Sequence, residues 1–133
     1  MPNRAILVVE DHHLSASLII ELLRGAFPAR AVHVAATATH GFSEFARLQP
    51  SLVVMDIGLP DASGLEVTRR IVAANPGTPV VVYSGNDGAV MRDAAAAVGA
   101  RAFVSKSDPR ELLRVVAQLL DGLPGVDCLQ GPR

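Results

Sequence analysis

Short apolar segments rich in β-branched residues alternate along the chain with longer segments of helical periodicity. The apolar runs are nearly continuous, which is typical of strands in a parallel sheet whose two faces are covered by helices. A fifth run, Ala31–Ala36, is weaker than the other four. The four clear predicted strands are Ala5–Val9, Ser51–Met55, Pro79–Tyr83 and Ala102–Val104.

The segments between these strands place apolar residues three or four positions apart, as an amphipathic helix does. This spacing predicts which face of each helix is buried. The predicted faces are Leu14, Leu18 and Leu22 in the first helix; Phe42, Phe45 and Ala46 in the second; Met91, Ala94, Ala95 and Val98 in the fourth; and Leu112, Val116, Leu119 and Leu120 in the last.

Capping residues indicate where the helices begin and end. Ser63, followed three residues later by Glu66, is a capping-box pattern that opens the third helix. Asp108 followed by Pro109 is an N-cap with proline at the first helical position, and it opens the last helix. Glycines at the expected helix C-termini are Gly25, Gly99 and Gly122.

Five strands, each followed by a helix, predict an α/β domain with one parallel sheet, right-handed crossovers and helices on both faces. We expect this domain to span residues 1–122, because residues 123–133 contain two prolines and two glycines and read as an irregular tail. In such sheets ligands bind outside the carboxyl ends of the strands, where the strand order reverses.

Composition narrows the function classes. The chain of 133 residues is 50% hydrophobic but only 4% aromatic, so Val, Leu, Ile and Ala must form the core. The formal net charge of −1 gives no reason to expect nucleic-acid binding. One cysteine, Cys128, excludes an internal disulfide and fits a reducing compartment. The apolar run after Met1 is too short for a signal peptide or a membrane span, so we expect a cytoplasmic protein.

Polar residues follow the predicted strands at the edge where ligands are expected. Taken singly, each also fits an ordinary loop, cap or turn, but their occurrence together at the ends of four strands favours a functional site. The candidates are Glu10 and Asp11 after the first strand, Asp56 after the third, Ser84 and Gly85 after the fourth, and Lys106 after the fifth.

Three carboxylates in one crevice raise one another's pKa unless a cation lies between them. Mg²⁺ typically takes one or two carboxylates, water and a phosphate as ligands. With a lysine and a serine added, the set provides a carboxylate nucleophile, a metal site and two groups that hold a transferred phosphoryl group. The same repulsion leads us to expect that Glu10→Gln or Asp11→Asn slightly stabilises the metal-free fold.

Several motifs together resemble the receiver domain of two-component response regulators, and the resemblance runs from about Arg4 to Leu120. The motifs are Val8–His12, Leu52–Asp61, Ser63–Glu66, Val82–Gly85 and Gly99–Lys106. The resemblance implies a flavodoxin-like doubly wound fold with strand order 2-1-3-4-5. It also implies a switch that accepts a phosphoryl group from a sensor histidine kinase and is not itself an enzyme.

The same resemblance implies residue roles. Asp56 would be the phosphoacceptor, and Ser84 and Lys106 would contact the phosphoryl group. Mg²⁺ (or Mn²⁺) would be held by Glu10, Asp11, Asp56 and the carbonyl of Gly58. Phe103 matches an aromatic position that changes rotamer on activation, and we expect it to swing inward when Ser84 binds the phosphoryl group.

The chain departs from the family pattern in two places. The acid pair is Glu-Asp rather than Asp-Asp, and Ser107 stands where many receivers have proline, which puts the usual cis peptide after Lys106 in doubt. Ser105–Pro109 and Glu10–His12 are similar to the NarL/FixJ-type subfamily. Most members carry a DNA-binding output domain, so we expect either a stand-alone receiver or part of a longer regulator, and a phosphorylation-promoted homodimer is plausible.

Two other functions fit the sequence less well. A phosphatase of the haloacid-dehalogenase type needs a second Asp two residues after the nucleophile, where this chain has Gly58. A flavin carrier needs a Ser/Thr/Gly-rich phosphate-binding loop after the first strand, where this chain has Glu10 and Asp11, whose charge would repel phosphate without a metal. The histidines His12, His13, His33 and His40 show no metal-ligand spacing with Cys128, and we expect none of them to bind a metal.

Overall fold

The structure is a computed structural model that describes residues 4–121. Five strands and five helices alternate, and each predicted strand is found to within one residue at either end. The strands are β1 Ile6–Val9, β2 Val32–Ala35, β3 Leu52–Met55, β4 Val80–Ser84 and β5 Ala102–Ser105. The helices are α1 His13–Ala26, α2 Ala38–Leu48, α3 Gly64–Ala74, α4 Ala89–Ala97 and α5 Pro109–Leu120.

All five strands form one parallel sheet in the order β2-β1-β3-β4-β5. Ile6 of β1 lies opposite Val32 of β2 on one side and opposite Leu52 of β3 on the other. The strand order therefore reverses at β1 and β3, which places a crevice between their carboxyl ends. The flavodoxin-like fold expected from the sequence is confirmed.

Alternating strand residues separate the core into two layers. Ile6 and Val8 pack with residues of α1 and α5, whereas Leu7 and Val9 pack with residues of α2 and α3. A smaller cluster joins α4 to the sheet through Val82, Ala95, Ala100 and Phe103. Burial on both faces explains why the strands read as continuous apolar runs.

Most predicted helix ends are confirmed. The carboxylate of Asp108 accepts a hydrogen bond from the backbone N–H of Glu111 at 3.2 Å. The hydroxyl of Ser63 accepts one from the backbone N–H of Leu65 at 3.1 Å. Gly99 adopts φ 96° just after α4, as a C-terminal glycine should. The prediction for Gly25 was wrong, because α1 continues through Ala26. Residues 122–133, including the predicted tail and Cys128, lie outside the described part of the chain.

The predicted buried face of α1 was also wrong. Leu14 and Leu18 are 74% and 51% exposed, and the buried residues of the helix are instead Ala16, Ile19 and Leu23. Both sets have helical spacing, so periodicity alone did not separate them. Docking against the sheet selected the face that carries the small Ala16. The result leaves two leucines on the surface near the start of α1.

Candidate phosphoryl-accepting site

The predicted site residues lie at one edge because each continues a strand by about one residue. The backbone N–H of Glu10 bonds to the Ala35 carbonyl at 2.9 Å, and that of Asp56 bonds to the Val9 carbonyl at 2.9 Å. The N–H of Lys106 bonds to the carbonyl of Ser84, also at 2.9 Å. The sheet ladder therefore fixes the backbone under each of these side chains.

Three acidic residues meet in the crevice between β1 and β3. Ligand oxygens of Glu10, Asp11 and Asp56 all lie within 4.8 Å of one another. Glu10 is buried, Asp56 is partly buried and Asp11 is exposed, so the cluster opens to solvent on one side. Carboxylate oxygens this close, with one side open for water and phosphate, fit the ligand preferences of Mg²⁺.

Glu10 is held by three hydrogen-bond donors. Its Oε1 accepts from Lys106 Nζ at 2.5 Å and from Ser15 Oγ at 3.0 Å, and its Oε2 accepts from the N–H of His12 at 3.2 Å. Burial alone would raise the pKa of Glu10, but the hydrogen bonds and the Lys106 charge hold that pKa below its ordinary value. Glu10 is therefore a fixed, ionised group.

The surroundings of Asp56 have the opposite effect on its pKa. Burial, followed by the neighbouring charge of Glu10, raises the pKa of Asp56 to about 6. Lys106 Nζ lies 3.4 Å from its Oδ1, farther than from Glu10, and compensates only in part. The pKa of Lys106 is lowered by burial but raised more by the two carboxylates, so this side chain stays an ammonium. The raised pKa expected from neighbouring acids is therefore found at Asp56 and not at Glu10.

Ser84 ends the strand next to β3, and Gly58 follows Asp56 by two residues. Ser84, the last residue of β4, is buried, and its hydroxyl accepts from the N–H of Asn86 at 3.1 Å. Gly58 forms an isolated antiparallel bridge with Ser63 in the loop after Asp56. The contacts of Ser84 with a phosphoryl group, and of the Gly58 carbonyl with a metal, stay predictions.

Asp61 and Gly64 both restrict the loop between Asp56 and α3. The carboxylate of Asp61 accepts from the N–H groups of Ala38 and Thr39 at 2.7 and 3.0 Å, so it caps the start of α2. These bonds lower the pKa of Asp61 to about 2. At the start of α3, a Cβ added to Gly64 would lie 1.9 Å from the carbonyl oxygen of Asp56. Only glycine allows α3 to begin this close to the acid.

Phe103 does not occupy the position expected for a resting switch. It is already buried, at 1% exposure, and the guanidinium carbon of Arg92 on α4 lies 4.8 Å from the centre of its ring. An inward swing from an exposed position is therefore not available to this conformation. Among residues 4–121 there is no cis peptide bond, so the bond between Lys106 and Ser107 is trans.

Sequence reasoning missed three residues around the site: Ser15, Asp61 and Arg92. Each contacts a residue at least five positions away in the chain, and no sequence pattern predicted these contacts. Two histidines have ordinary contacts: His12 Nδ1 caps α1 by accepting from the N–H of Ser15 at 3.3 Å, and His33 lies on the edge strand β2. Within residues 4–121 the acidic cluster is the one group with metal-ligand spacing.

The family model for the response regulator receiver domain matches residues 6–117. The chain belongs to this family, which makes it a phosphorylation-controlled signalling domain of two-component systems. This confirms the relationship inferred from the motifs. The match leaves the predicted boundary at residue 122 untested.

Curated relatives include regulators and enzymes. The chain is 31% identical over 114 residues to the probable transcriptional regulatory protein TcrX of Mycobacterium tuberculosis, covering 86% of this chain and 47% of the relative. It is 32% identical over 125 residues to a protein-glutamate methylesterase/protein-glutamine glutaminase of Anaeromyxobacter dehalogenans, covering 94% of this chain and 35% of the relative. The chain thus spans less than half the length of either relative.

Solved structures show the same fold. A LuxR-family two-component response regulator from an Aurantimonas species superposes with a TM-score of 0.85 at 29% identity, covering 96% of this chain and 94% of that one. A CheY-like receiver domain from Methanospirillum hungatei gives a TM-score of 0.82 at 27% identity, covering 90% and 95%. No helix within residues 4–121 is long and apolar enough to cross a membrane.

Proposed function

We propose that Asp56 accepts the phosphoryl group and that Glu10, Asp11, Asp56 and the carbonyl of Gly58 hold the Mg²⁺ (or Mn²⁺) on which transfer depends. The observation that carries this proposal is the arrangement around Asp56: two further carboxylates have ligand atoms within 4.8 Å and an ammonium lies 3.4 Å away. The metal would neutralise phosphoryl oxygens, which is the main requirement of phosphoryl transfer.

The nucleophile is a carboxylate oxygen of Asp56, which bonds to phosphorus as the bond from phosphorus to the donor breaks. With a histidine kinase as donor, the leaving group is the imidazole of phosphohistidine. A nucleophile must be ionised, and a pKa of about 6 leaves Asp56 mostly ionised at neutral pH. Lys106 and the Ser84 hydroxyl would then bind the oxygens of the transferred group.

The kinase must bring its histidine to this edge, and the surface beside the site suits a protein partner. Leu14 lies in the first turn of α1, three residues after Asp11, and Leu18 follows one turn later. Both are more than half exposed, and exposed apolar side chains grouped beside a reactive group favour a docking surface. We propose that these leucines contact the kinase.

The next question is how the receiver passes on its signal. The transcriptional relatives support control of transcription through a domain outside this chain, and a stand-alone receiver that acts by protein–protein contact is the alternative. We propose that the receiver itself is not an enzyme, binds no nucleic acid, works in the cytoplasm and forms a phosphorylation-promoted homodimer. Because Phe103 is already buried, the signal in this chain would pass through the contact between Arg92 and Phe103 rather than through an inward swing.

The chemistry is tested with acetyl phosphate and Mg²⁺, followed by intact-mass measurement. One added phosphoryl group, labile to hydroxylamine, is expected on the parent and on the control Asp93→Asn, which alters an exposed acid on α4. Asp56→Asn and metal chelation should each abolish the adduct. Equal labelling of Asp56→Asn, or labelling that survives chelation, would contradict the assignment.

The docking surface and the dimer need separate experiments. Leu14→Ser with Leu18→Ser should slow transfer from a phosphorylated histidine kinase while leaving labelling by acetyl phosphate unchanged; loss of both reactions would mean that the site itself was damaged.

Light scattering with beryllofluoride, a phosphoryl mimic, should show a dimer in the parent. A monomer at all concentrations tested would exclude the proposed dimer.

A further inference from the structure

The first acid of the metal site is a glutamate, and its side chain contains one more rotatable bond than that of aspartate. A carboxylate on a longer arm samples more positions, so it loses more conformational entropy when it binds a metal. Glu10 is nevertheless almost completely buried, with both oxygens in hydrogen bonds. Something in the chain therefore fixes the longer arm.

Two of its three donors are unsuited to hold Glu10 through the reaction. The N–H of His12 contacts only Oε2, at 3.2 Å. Lys106 contacts Oε1 but also lies 3.4 Å from Asp56, and it is expected to turn to the phosphoryl group once that group is attached. The remaining donor to Oε1 is the hydroxyl of Ser15.

Ser15 is itself rigidly placed. It lies in the first turn of α1 and is half-buried, and its N–H bonds to His12 Nδ1 at 3.3 Å. A serine inside a helix commonly bonds to a carbonyl of the preceding turn, but here the hydroxyl bonds to a carboxylate from the preceding loop at 3.0 Å. His12 already provides the side-chain cap of α1, so the hydroxyl of Ser15 is not needed for that purpose.

We propose that Ser15 is a positioning residue for the metal site: its hydroxyl holds the longer arm of Glu10 in place for Mg²⁺ when Lys106 leaves. This inference rests on the proposed function, because it concerns the same metal. It also explains how a Glu-Asp pair serves in place of an Asp-Asp pair. The carboxylate of an aspartate at position 10 would be one methylene shorter and would withdraw from Ser15.

The test is Mg²⁺ titration of the full chain by calorimetry, with no phosphodonor present. Ser15→Ala should raise the Mg²⁺ dissociation constant about three- to tenfold, the range expected when one hydrogen bond of ordinary net strength is lost. Valine and threonine have the same shape, but only threonine keeps the hydroxyl, so the two variants separate the effect of the hydroxyl from that of side-chain shape. Ser15→Val should weaken Mg²⁺ binding as Ser15→Ala does, whereas Ser15→Thr should stay within about twofold of the parent. Ser17→Ala, an exposed serine on the same helix, is the matched control and should change nothing.

A double-mutant cycle shows whether Ser15 acts through Glu10. In a Glu10→Asp background, Ser15→Ala should leave the Mg²⁺ dissociation constant unchanged, because the shorter carboxylate does not reach Ser15. Thermal unfolding without metal shows that each variant is folded.

The outcomes are distinguishable. A Ser15→Ala variant that binds Mg²⁺ as tightly as the parent overturns the role of Ser15, and so does an equal loss in both backgrounds. A parent that does not bind Mg²⁺ at all overturns the proposed metal site, and the role of Ser15 with it.

Discussion

The corner where β1 meets α1 and the corner where β3 meets α3 each present a carboxylate to the same crevice, but they treat it in opposite ways. Glu10 receives three hydrogen bonds and its pKa is lowered. Asp56 has Lys106 at 3.4 Å, and its pKa is raised to about 6. The first corner holds its acid in a fixed position, and the second leaves its acid poorly neutralised, as the proposed phosphoacceptor and metal ligand would require.

This difference has a structural origin in the two loops. At the first corner the chain enters a helix almost directly, so the N-cap residue His12 and Ser15 in the first turn of α1 donate back to Glu10. At the second corner residues 57–63 separate Asp56 from α3, and the carboxylate of Asp61 in this loop bonds to α2 rather than lying against Asp56. The predictions below test this comparison by disturbing one corner at a time.

The largest effect is expected for Gly64→Ala. The added Cβ would overlap the carbonyl oxygen of Asp56, so the backbone of the second corner must move. We expect a loss of about 3 kcal/mol in the free energy of unfolding, measured by urea denaturation, as for severe overpacking. Gly25→Ala is the matched control, because its Cβ would meet nothing within 4 Å. Equal stabilities for the two variants would show that the corner is not tightly packed.

Glu10→Gln comes next, and the structure reverses the expectation from the sequence. Repulsion among three acids predicted a slight gain in stability, but Glu10 is buried against Lys106 and its ionised form is favoured. We now expect the free energy of unfolding of the metal-free protein to fall by about 2 kcal/mol. This is less than for breaking a fully buried ion pair, because Lys106 is 25% exposed and also lies close to Asp56. A stabilised Glu10→Gln variant would restore the original expectation.

Asp56→Asn should act in the opposite direction and depend on pH. The pKa of Asp56 is raised on folding, so its contribution to stability is fully present below its unfolded pKa of 3.8 and is lost as pH rises through about 6. The parent without metal should therefore be less stable than Asp56→Asn by about 1 to 2 kcal/mol at pH 7. The difference should shrink toward pH 4 in chemical denaturation, and Mg²⁺ should stabilise the parent more than the variant. A stability difference between the parent and Asp56→Asn that does not change with pH would mean that burial and neighbouring charge do not raise the pKa of Asp56.

The smallest effect is expected for Asp61→Asn, which disturbs the outer part of the second corner. The hydrogen bonds from Ala38 and Thr39 lower the pKa of Asp61 to about 2, so its contribution is present above 3.8 and is lost as pH falls toward 2. The stability of Asp61→Asn should approach that of the parent over this interval. Asp93→Asn, at an exposed carboxylate on α4, is the control; the same convergence for Asp93→Asn would show that the capping of α2 is not the cause.

The sequence by itself determined the order of elements, the parallel sheet and the residues at its carboxyl edge. Strands buried on both faces leave continuous apolar runs, and Asp108 and Ser63 mark helix starts through bonds that span only a few residues. Such signals are local, so they can be read from the chain. The gathering of Glu10, Asp11 and Asp56 was also predictable, because the ends of neighbouring parallel strands must meet.

Tertiary structure decided what those residues do to one another. Which face of α1 is buried depended on how the helix docks. The unequal pKa values of Glu10 and Asp56 depended on how deeply each is buried and on where Lys106 lies. Lys106 is 96 residues from Glu10 in the chain, yet their charged groups are 2.5 Å apart. Electrostatic and packing energies depend on distances in space, which a one-dimensional pattern does not contain.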